Sequence, residues 1–265
     1  MTISTVSVVF YRTLIASAFL VIIYLGAKKY SINKDAILPL ILVGCVLGLH
    51  WVCFFGSARM STVSLSLVTF STTSFFTSIL EPLSKKAPIS KKEVFLGILV
   101  VLGMGLIFKF ERAHALAILV GLFGAFLSSV YSVANVHLAK KHSALSINLF
   151  ELSGAFLFSL VLIIGLNLYE PQAMIPQKLD FVYLGILAIL CTVFPYLVWI
   201  KLLRRLSTFS VNLVINMEPI YGVFLAWLVF GEAEKMTVGF YAGAVLTVLS
   251  LVLNFLWTQK KPSHF

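Results

Sequence analysis

The sequence predicts an all-α, polytopic membrane protein. Of its 265 residues, 60% are hydrophobic and only 11% are charged, whereas a soluble domain carries roughly a quarter charged residues. The apolar residues form long runs, and the basic residues are distributed unevenly among the loops between them. These observations exclude a soluble globular protein, a disordered chain and a nucleic-acid-binding domain, so the net charge of +10 must be interpreted relative to a membrane.

Nine apolar runs lie along the chain, separated by short polar loops. A helix needs about 20 mostly apolar residues to cross the hydrocarbon core, and backbone polar groups in lipid must be satisfied within the segment. We therefore expect nine transmembrane helices, here called spans A to I, at 4–27, 36–57, 62–83, 94–110, 115–138, 146–168, 181–200, 209–230 and 237–258.

Three of these spans depart from simple apolar helices. Span C is rich in serine and threonine and has the weakest hydropathy. Pro195 and Pro219 lie inside spans G and H, and a proline removes a helical hydrogen bond and clashes with the preceding turn. We expect a kink or a local break at both prolines.

The basic residues predict the orientation of the spans. Alternate loops lie on opposite sides of the membrane, and fourteen of the twenty lysines and arginines fall on one side, five fall on the other, and Arg12 lies within span A. Because basic residues are retained in the cytoplasm, the sequence predicts a multi-pass protein of the cytoplasmic (inner) membrane with a cytoplasmic C-terminus.

The chain resembles itself at an offset of 146 residues. Over about 38–110 the alignment needs no gap, so spans B, C and D correspond to spans G, H and I. The matches include Ser61-Thr62 with Ser207-Thr208, Arg59 with Arg205, Cys45 with Cys191 and Gly97 with Gly243. Each span of the first copy is five spans away from its equivalent in the second copy. Loops that are rich in lysine and arginine in one copy correspond to loops that are poor in them in the other. The repeats are therefore predicted to be inverted, as in secondary transporters.

The repeats divide the chain at about residue 112. The second repeat, 113–265, has five spans, whereas the first, 1–112, has only four. Aligning Tyr11-Arg12 with Phe150-Glu151 makes A the partner of F, so the partner of E would precede Met1. We therefore expect nine helices of a ten-helix, 5+5 inverted repeat, with a first helix of about 20–30 residues missing.

Particular segments resemble the EamA-type proteins of the drug/metabolite transporter superfamily. Phe10-Tyr11-Arg12-Thr13-Leu14-Ile15-Ala16 is similar to that family's second helix. The second repeat carries the most specific resemblance, in Thr192, Tyr196, Trp199, Arg204-Arg205-Leu206-Ser207, Asn216-Met217-Glu218-Pro219, Ala226-Trp227-Leu228 and Gly231-Glu232.

The resemblance implies an inner-membrane carrier of two five-helix inverted repeats that moves small metabolites, often outward. The sequence departs from the pattern at its N-terminus and at Ser84-Lys85-Lys86, where the second repeat has Phe230-Gly231-Glu232. The expected function is secondary transport by alternating access, in the export direction. The alternatives are a non-transporting scaffold, a channel-like protein or an inactive truncated carrier.

Ionisable residues inside spans are the first site candidates, because a charge is costly there and is a functional candidate by default. Arg12 and Glu151 occupy equivalent places in spans A and F, and Arg12 is suited to an anionic substrate group or to a carboxylate partner. Glu218 lies about nine residues into span H, directly before Pro219. Glu218 is alternatively a structural carboxylate bonded to neighbouring helices, and Glu151, about five residues into its span, is alternatively placed at interfacial water.

Polar and aromatic side chains supply further candidates for the transport pathway. The hydroxyl stripe of span C either lines a wet cavity or bonds to a neighbouring helix, and the aromatic residues either stack on substrate or pack. Asn212 and Asn216 form a pair in span H. The full set adds Ser66, Thr69, Thr73, Asn135, His50, Trp51 and Tyr196.

Other functional classes lack their motifs. There is no His-Glu-x-x-His or Gly-x-Ser-x-Gly sequence, only two aspartates occur, and the histidines and three cysteines lack metal-ligand spacing. The sequence therefore predicts no enzyme activity, no cofactor and no metal. The expected partners are a small-molecule substrate and the lipid bilayer, with no nucleic acid, and a homodimer is left open.

Overall fold

The chain is all-helical throughout the residues that the computed structural model describes, namely 2–26, 34–88, 91–169, 173–203 and 218–259. The α-helices are α1 Thr5–Gly26, α2 Lys34–Met60, α3 Val63–Phe70, α4 Thr73–Ser84, α5 Lys91–Phe110, α6 Ala115–Lys141, α7 Ala144–Asn167, α8 Lys178–Ala188, α9 Phe194–Leu203, α10 Glu218–Phe230 and α11 Val238–Gln259. Short 3₁₀ turns precede α6 and follow α10.

The helices have the length and composition of membrane spans. Within the described ranges, six helical segments are long and apolar enough to cross a bilayer, and α5 and α11 contain shorter apolar stretches. Large apolar side chains such as Ile22, Leu25 and Val161 are 70% or more exposed. So much exposed apolar surface requires a lipid environment, and the chain is a multi-pass membrane protein.

The described helices form two compact units, and the first combines Met1–Val52 with Ala134–Thr208. In this unit α1 packs along α7, and α8 packs against α1. Phe10 contacts Phe156 with ring centroids 5.5 Å apart, and Thr13 Oγ1 lies 3.4 Å from Ser159 Oγ. These contacts place the crossing of α1 and α7 near the middle of both helices.

Glycines bring α2 against α7 within the first unit. A Cβ on Gly44 would collide with the backbone of Glu151, and one on Gly154 would collide with the backbone of Ile41. A Cβ on Gly48 would lie 3.1 Å from Ala155 Cα, which is a tight contact and not a collision. The spacing of Gly44 and Gly48 thus serves close helix packing, in which small residues let two membrane helices approach.

The second unit combines Cys53–Val133 with Phe209–Phe265. Its most extensive contact is between α5 and α11, where Gly103 and Gly243 each face the other's carbonyl and Ser250 Oγ donates to Leu96 O at 3.0 Å. A second contact joins α3 to α10. The core of the unit consists of Leu65, Val68, Val100, Met104, Ile107, Ile118 and Phe240.

Span C is interrupted, which hydropathy did not predict. A turn at Ser71 and Thr72 separates α3 from α4, and both hydroxyls donate to carbonyls three residues earlier, at 2.6 and 2.7 Å. Side-chain bonds of this kind compete with the helical backbone and bend it.

Side chains cap several helix starts. Ser4 Oγ accepts the Ser7 N–H and contacts the Ser7 hydroxyl, at 3.2 and 2.9 Å. Ser143 makes the same two contacts with Ser146, at 3.0 and 2.8 Å. In each pair a serine three residues after the cap joins the hydroxyl network, so α1 and α7 begin with the same local structure.

Two buried glutamates cap helices distant from them in sequence. Glu234 accepts the N–H groups of Val63 and Ser64 at the start of α3, at 3.0 and 2.8 Å. Glu111 accepts from the backbone N–H and the hydroxyl of Thr237, just before α11, at 3.0 and 2.6 Å. Each carboxylate satisfies orphan donors at a helix N-terminus.

Candidate functional site

The candidate site is centred on Arg12, in the first unit. Arg12 lies about two turns into α1, and only 6% of its surface is exposed. Its Nε donates to Thr192 Oγ1 at 2.7 Å, and its guanidinium carbon lies 3.8 Å from the centroid of the Trp51 ring. A cation on an aromatic face is stabilised by the ring quadrupole, more strongly when both are desolvated.

Arg12 meets span G at a break in the helix. Residues Ile189–Val193 form a single π-helical turn between α8 and α9, and π turns often occur at functional sites. Pro195 has no N–H, so the Cys191 carbonyl, four residues earlier, lacks its usual α-helical donor. Arg12 Nη2 lies 3.5 Å from that carbonyl, which places positive charge beside the interrupted backbone.

Thr192 connects the arginine to the π turn. Its hydroxyl donates to Leu187 O at 2.6 Å and accepts from Arg12 Nε, and the residue is fully buried. The Thr192 hydroxyl therefore accepts a hydrogen bond from the guanidinium and donates one to the backbone of its own helix. Because Thr192 holds Nε, the orientation of the guanidinium is restrained.

Aromatic rings lead away from the buried guanidinium. The Trp51 ring, 4% exposed, makes a T-shaped contact with Tyr196, with centroids 5.7 Å apart. Tyr196 in turn contacts Trp199 at 6.1 Å. Both outer residues are half-buried, so the row of rings runs from a buried charge to two partly exposed side chains.

The remaining predicted residues of the first unit are buried on the same helices or near them. Glu151 is 1% exposed in α7, with its backbone against Gly44. His50 precedes Trp51 in α2 and is 5% exposed, and Asn135 in α6 is fully buried. Their roles in a transport pathway stay predictions.

The predicted residues of the second unit have satisfied hydroxyls. Ser66 Oγ donates to Phe54 O in α2 at 2.9 Å, Thr69 Oγ1 to Leu65 O at 2.7 Å, and Thr73 Oγ1 to Phe70 O at 2.7 Å. A methyl group of Thr69 also lies against Gly121 of α6. Ser66 bonds to a neighbouring helix, as the packing interpretation expects, whereas Thr69 and Thr73 bond within their own span, so the role of the stripe stays a prediction.

The predicted residues of span H are only partly described. Glu218 is the first residue of α10 and is half-buried. Asn212 and Asn216 lie outside the described residues. In the described part of the chain, no group of three or more His, Cys, Asp or Glu side chains is placed to hold a metal ion.

Thr192 and the Cys191 carbonyl are site groups that the predicted set of pathway residues did not include. Pro195 was the available signal, since a proline in a span predicts an unbonded carbonyl four residues earlier. The sequence does not indicate which side chain reaches that carbonyl, because Arg12 is distant by 179 residues.

A helical membrane protein with a cationic side chain buried at an interrupted span has features that are typical of membrane transporters. Family comparison agrees. The chain belongs to the EamA-like transporter family, whose sequence pattern matches residues 1–109 and 115–256, and it is thus a member of a family of membrane transporters.

The chain is similar to two further proteins. It is 28% identical over 148 residues to the uncharacterized transporter YdfC of Bacillus subtilis (strain 168), a match that covers 56% of this chain and 47% of that protein. The match therefore spans about half the length of the curated relative. A crystal structure with 16% identity superimposes with a TM-score of 0.68, over 98% of this chain and 90% of the other, and shows the fold alone.

Proposed function

We propose that the chain is a secondary transporter that exports a small metabolite across the cytoplasmic membrane by alternating access. The observation that carries this proposal is the Arg12 guanidinium buried against the broken helix in span G. Carriers place substrate sites at interrupted membrane helices, where a backbone freed of its helical bonds lines the pathway. The family membership supplies the transporter class.

An inverted 5+5 repeat is part of the proposal, and three local features support it. Ser4 and Ser7 cap α1 as Ser143 and Ser146 cap α7, and the offset between these pairs is the one that aligns Arg12 with Glu151. The sequence-equivalent helices α1 and α7 pack on each other, as do α5 and α11. Equivalent helices that lie beside a two-fold axis contact each other, so these two pairs support such an axis between the repeats.

The relative direction of α5 and α11 fits a two-fold axis between the repeats that lies in the membrane plane. Gly239 lies against Phe110 at the end of α5, whereas Ser250 reaches Leu96 near its start. The two helices are therefore antiparallel. Parallel repeats would place equivalent helices in the same direction, so the antiparallel contact favours inverted repeats.

The test of transport is counterflow in proteoliposomes. Secreted metabolites are first compared between a deletion strain and an overexpressing strain, and the enriched compound is used as the solute. A carrier preloaded with unlabelled solute accumulates the labelled solute transiently above equilibrium, whereas a channel only equilibrates it. An Arg12→Met variant with normal assembly is expected to lose this overshoot.

The other outcomes separate the alternatives. Equilibration without an overshoot would indicate a channel-like protein. Absence of any solute flux from correctly assembled protein would indicate a scaffold or an inactive carrier, and the proposal would then be abandoned.

A further inference from the structure

We propose that the junction of α5 and α11 binds an anionic phospholipid of the surrounding membrane. The lipid phosphate lies at Lys92, beside the ring of Trp257, and the acyl chains lie along the apolar faces of the two helices. Both helices belong to the second unit, so the site is separate from Arg12 and does not depend on the proposed transport function.

Lys92 and Trp257 form the polar end of the site. Lys92 is the second residue of α5 and is exposed, and Trp257 lies two residues before the end of α11 and is half-buried. Lys92 Nζ lies 5.7 Å from the centroid of the Trp257 ring, and Phe95 packs on the same ring with centroids 6.0 Å apart. Because both residues stand at ends of membrane helices, they lie at the depth of the lipid headgroups, where tryptophan and lysine are typically found.

The contact with Trp257 does not neutralise the charge of Lys92. An aromatic ring attracts a cation through its quadrupole and carries no net charge. Residues 81–93 contain four lysines and two glutamates, and Glu81 is paired with Lys85 at 2.6 Å. The segment therefore carries net positive charge beside the headgroup layer. The predicted orientation turns it toward the cytoplasmic leaflet, whose anionic lipids attract lysines.

Lys86 adds charge at a backbone position that favours glycine. Its φ is 52°, and it ends α4 in a Schellman cap, in which Lys86 N–H donates to Leu83 O at 3.2 Å and Ala87 N–H to Pro82 O at 2.9 Å. A Cβ is disfavoured in this left-handed conformation, and strained residues of this kind often serve a function. The connecting chain keeps the Cα atoms of Lys86 and Lys92 within about 20 Å of each other.

The apolar faces of α5 and α11 supply the surface for acyl chains. Exposed apolar side chains recur every three or four residues on each helix, and they are between 37% and 64% exposed. They are Phe95, Ile98 and Leu102 on α5, and Val245, Leu249, Val252 and Leu256 on α11. The two helices are in contact, and Ser250 Oγ donates to Leu96 O at 3.0 Å. A cation at the headgroup depth above apolar surface matches a phospholipid better than a water-soluble anion.

Native mass spectrometry of the purified full-length chain in detergent tests the ligand. Phosphatidylglycerol and phosphatidylcholine with identical acyl chains are the probes, since they differ in net charge. One lysine near the headgroup strengthens the binding of an anionic lipid about fivefold, so Lys86 and Lys92 together are expected to favour phosphatidylglycerol about 25-fold. Equal binding of the two lipids by the parent chain overturns the inference.

A water-soluble headgroup separates a lipid from a free phosphate. Glycerol 1-phosphate in excess is expected to leave phosphatidylglycerol bound, because it lacks the acyl chains that supply apolar binding energy. Displacement of the lipid by this compound would show that the site takes a soluble anion, and would overturn the assignment to a phospholipid.

Three variants assign the binding to this site. Lys92→Gln is expected to reduce the preference for phosphatidylglycerol about fivefold. Lys86→Gly should reduce it similarly, yet fold at least as stably without lipid, because glycine relieves the backbone strain. Lys109→Gln is the matched control, since Lys109 is exposed at the other end of α5 with Nζ 5.7 Å from the Phe110 ring. It should bind as the parent does. An unchanged preference in folded Lys92→Gln, or equal losses in Lys92→Gln and Lys109→Gln, would overturn the site.

Discussion

Arg12 Nε donates a hydrogen bond of 2.7 Å to Thr192 Oγ1, and so joins α1 to the π turn that interrupts span G. The two residues are 180 positions apart. The bond combines a charged donor with a hydroxyl that is itself committed to the Leu187 carbonyl. The position of the guanidinium therefore depends on the conformation of one non-α-helical turn.

Replacing Thr192 with valine is expected to reduce transport and stability without preventing assembly. The change removes a hydrogen bond to a charged group, which contributes about 1.5–3 kcal/mol. Thr192→Ser retains the hydroxyl and should restore most of the loss. The measurements are initial rates in proteoliposomes and thermal unfolding in detergent, with Thr247→Val as a matched loss of a buried hydroxyl elsewhere. Equal effects of the two valine variants on transport would contradict a specific role for Thr192.

Trp51 should be replaceable by another aromatic residue but not by an aliphatic one. Phenylalanine keeps a ring under the guanidinium, whereas leucine removes the cation–π contact, which is worth about 2 kcal/mol when desolvated. Trp51→Phe is expected to retain most transport and Trp51→Leu to lose about 30-fold. Trp227→Leu, at an exposed side chain, is the control. Transport by Trp51→Leu as fast as by Trp51→Phe would show that the aromatic ring is not required.

Alanine at Gly44 is expected to destabilise the first unit. Its Cβ would meet the Glu151 backbone, and such overpacking typically costs about 1–3 kcal/mol. Gly56 lies on the same helix with open space around it, so Gly56→Ala should be neutral or slightly stabilising. Thermal unfolding in detergent compares the two, and similar midpoints for both variants would show that α2 and α7 do not pack this closely.

Glu234→Gln should weaken the attachment of α3 to the end of α10. The carboxylate accepts two backbone N–H groups, and loss of a helix cap typically costs about 0.5–2 kcal/mol. Glu232→Gln removes the same charge at a side chain that is 85% exposed and should have little effect. Thermal unfolding and protease sensitivity measure the difference. A larger effect of Glu232→Gln would contradict the assignment of the cap to Glu234.

The predicted orientation is tested with reporters fused to the C-terminus. Fourteen basic residues on the C-terminal side predict that this end is cytoplasmic. A fused green fluorescent protein should therefore fluoresce, and a fused alkaline phosphatase should remain inactive. A control fusion in the loop after α7, at about residue 175, should show the reverse. Active phosphatase at the C-terminus would invert the assigned topology.

The sequence by itself determined the class of the protein, and it named Arg12 as a candidate site residue, which stays a prediction. Hydropathy is a local property, and lipid is a uniform solvent, so long apolar runs predict helices without knowledge of their neighbours. The same reasoning singled out Arg12 as a costly charge inside a span. The resemblance of residues 10–16 and of the second repeat pointed to the family that the comparison shows.

Only the tertiary structure decided which groups meet. That Thr192 and Trp51 surround Arg12, and that Glu234 caps α3, depends on the depth and rotation of helices relative to one another. Those quantities are set by side-chain packing between segments distant in sequence, such as the glycine contacts of α2 with α7. The depth and rotation of a helix leave no signal in its local sequence. Pro195 therefore indicated a break in span G but did not indicate which side chain packs against that break.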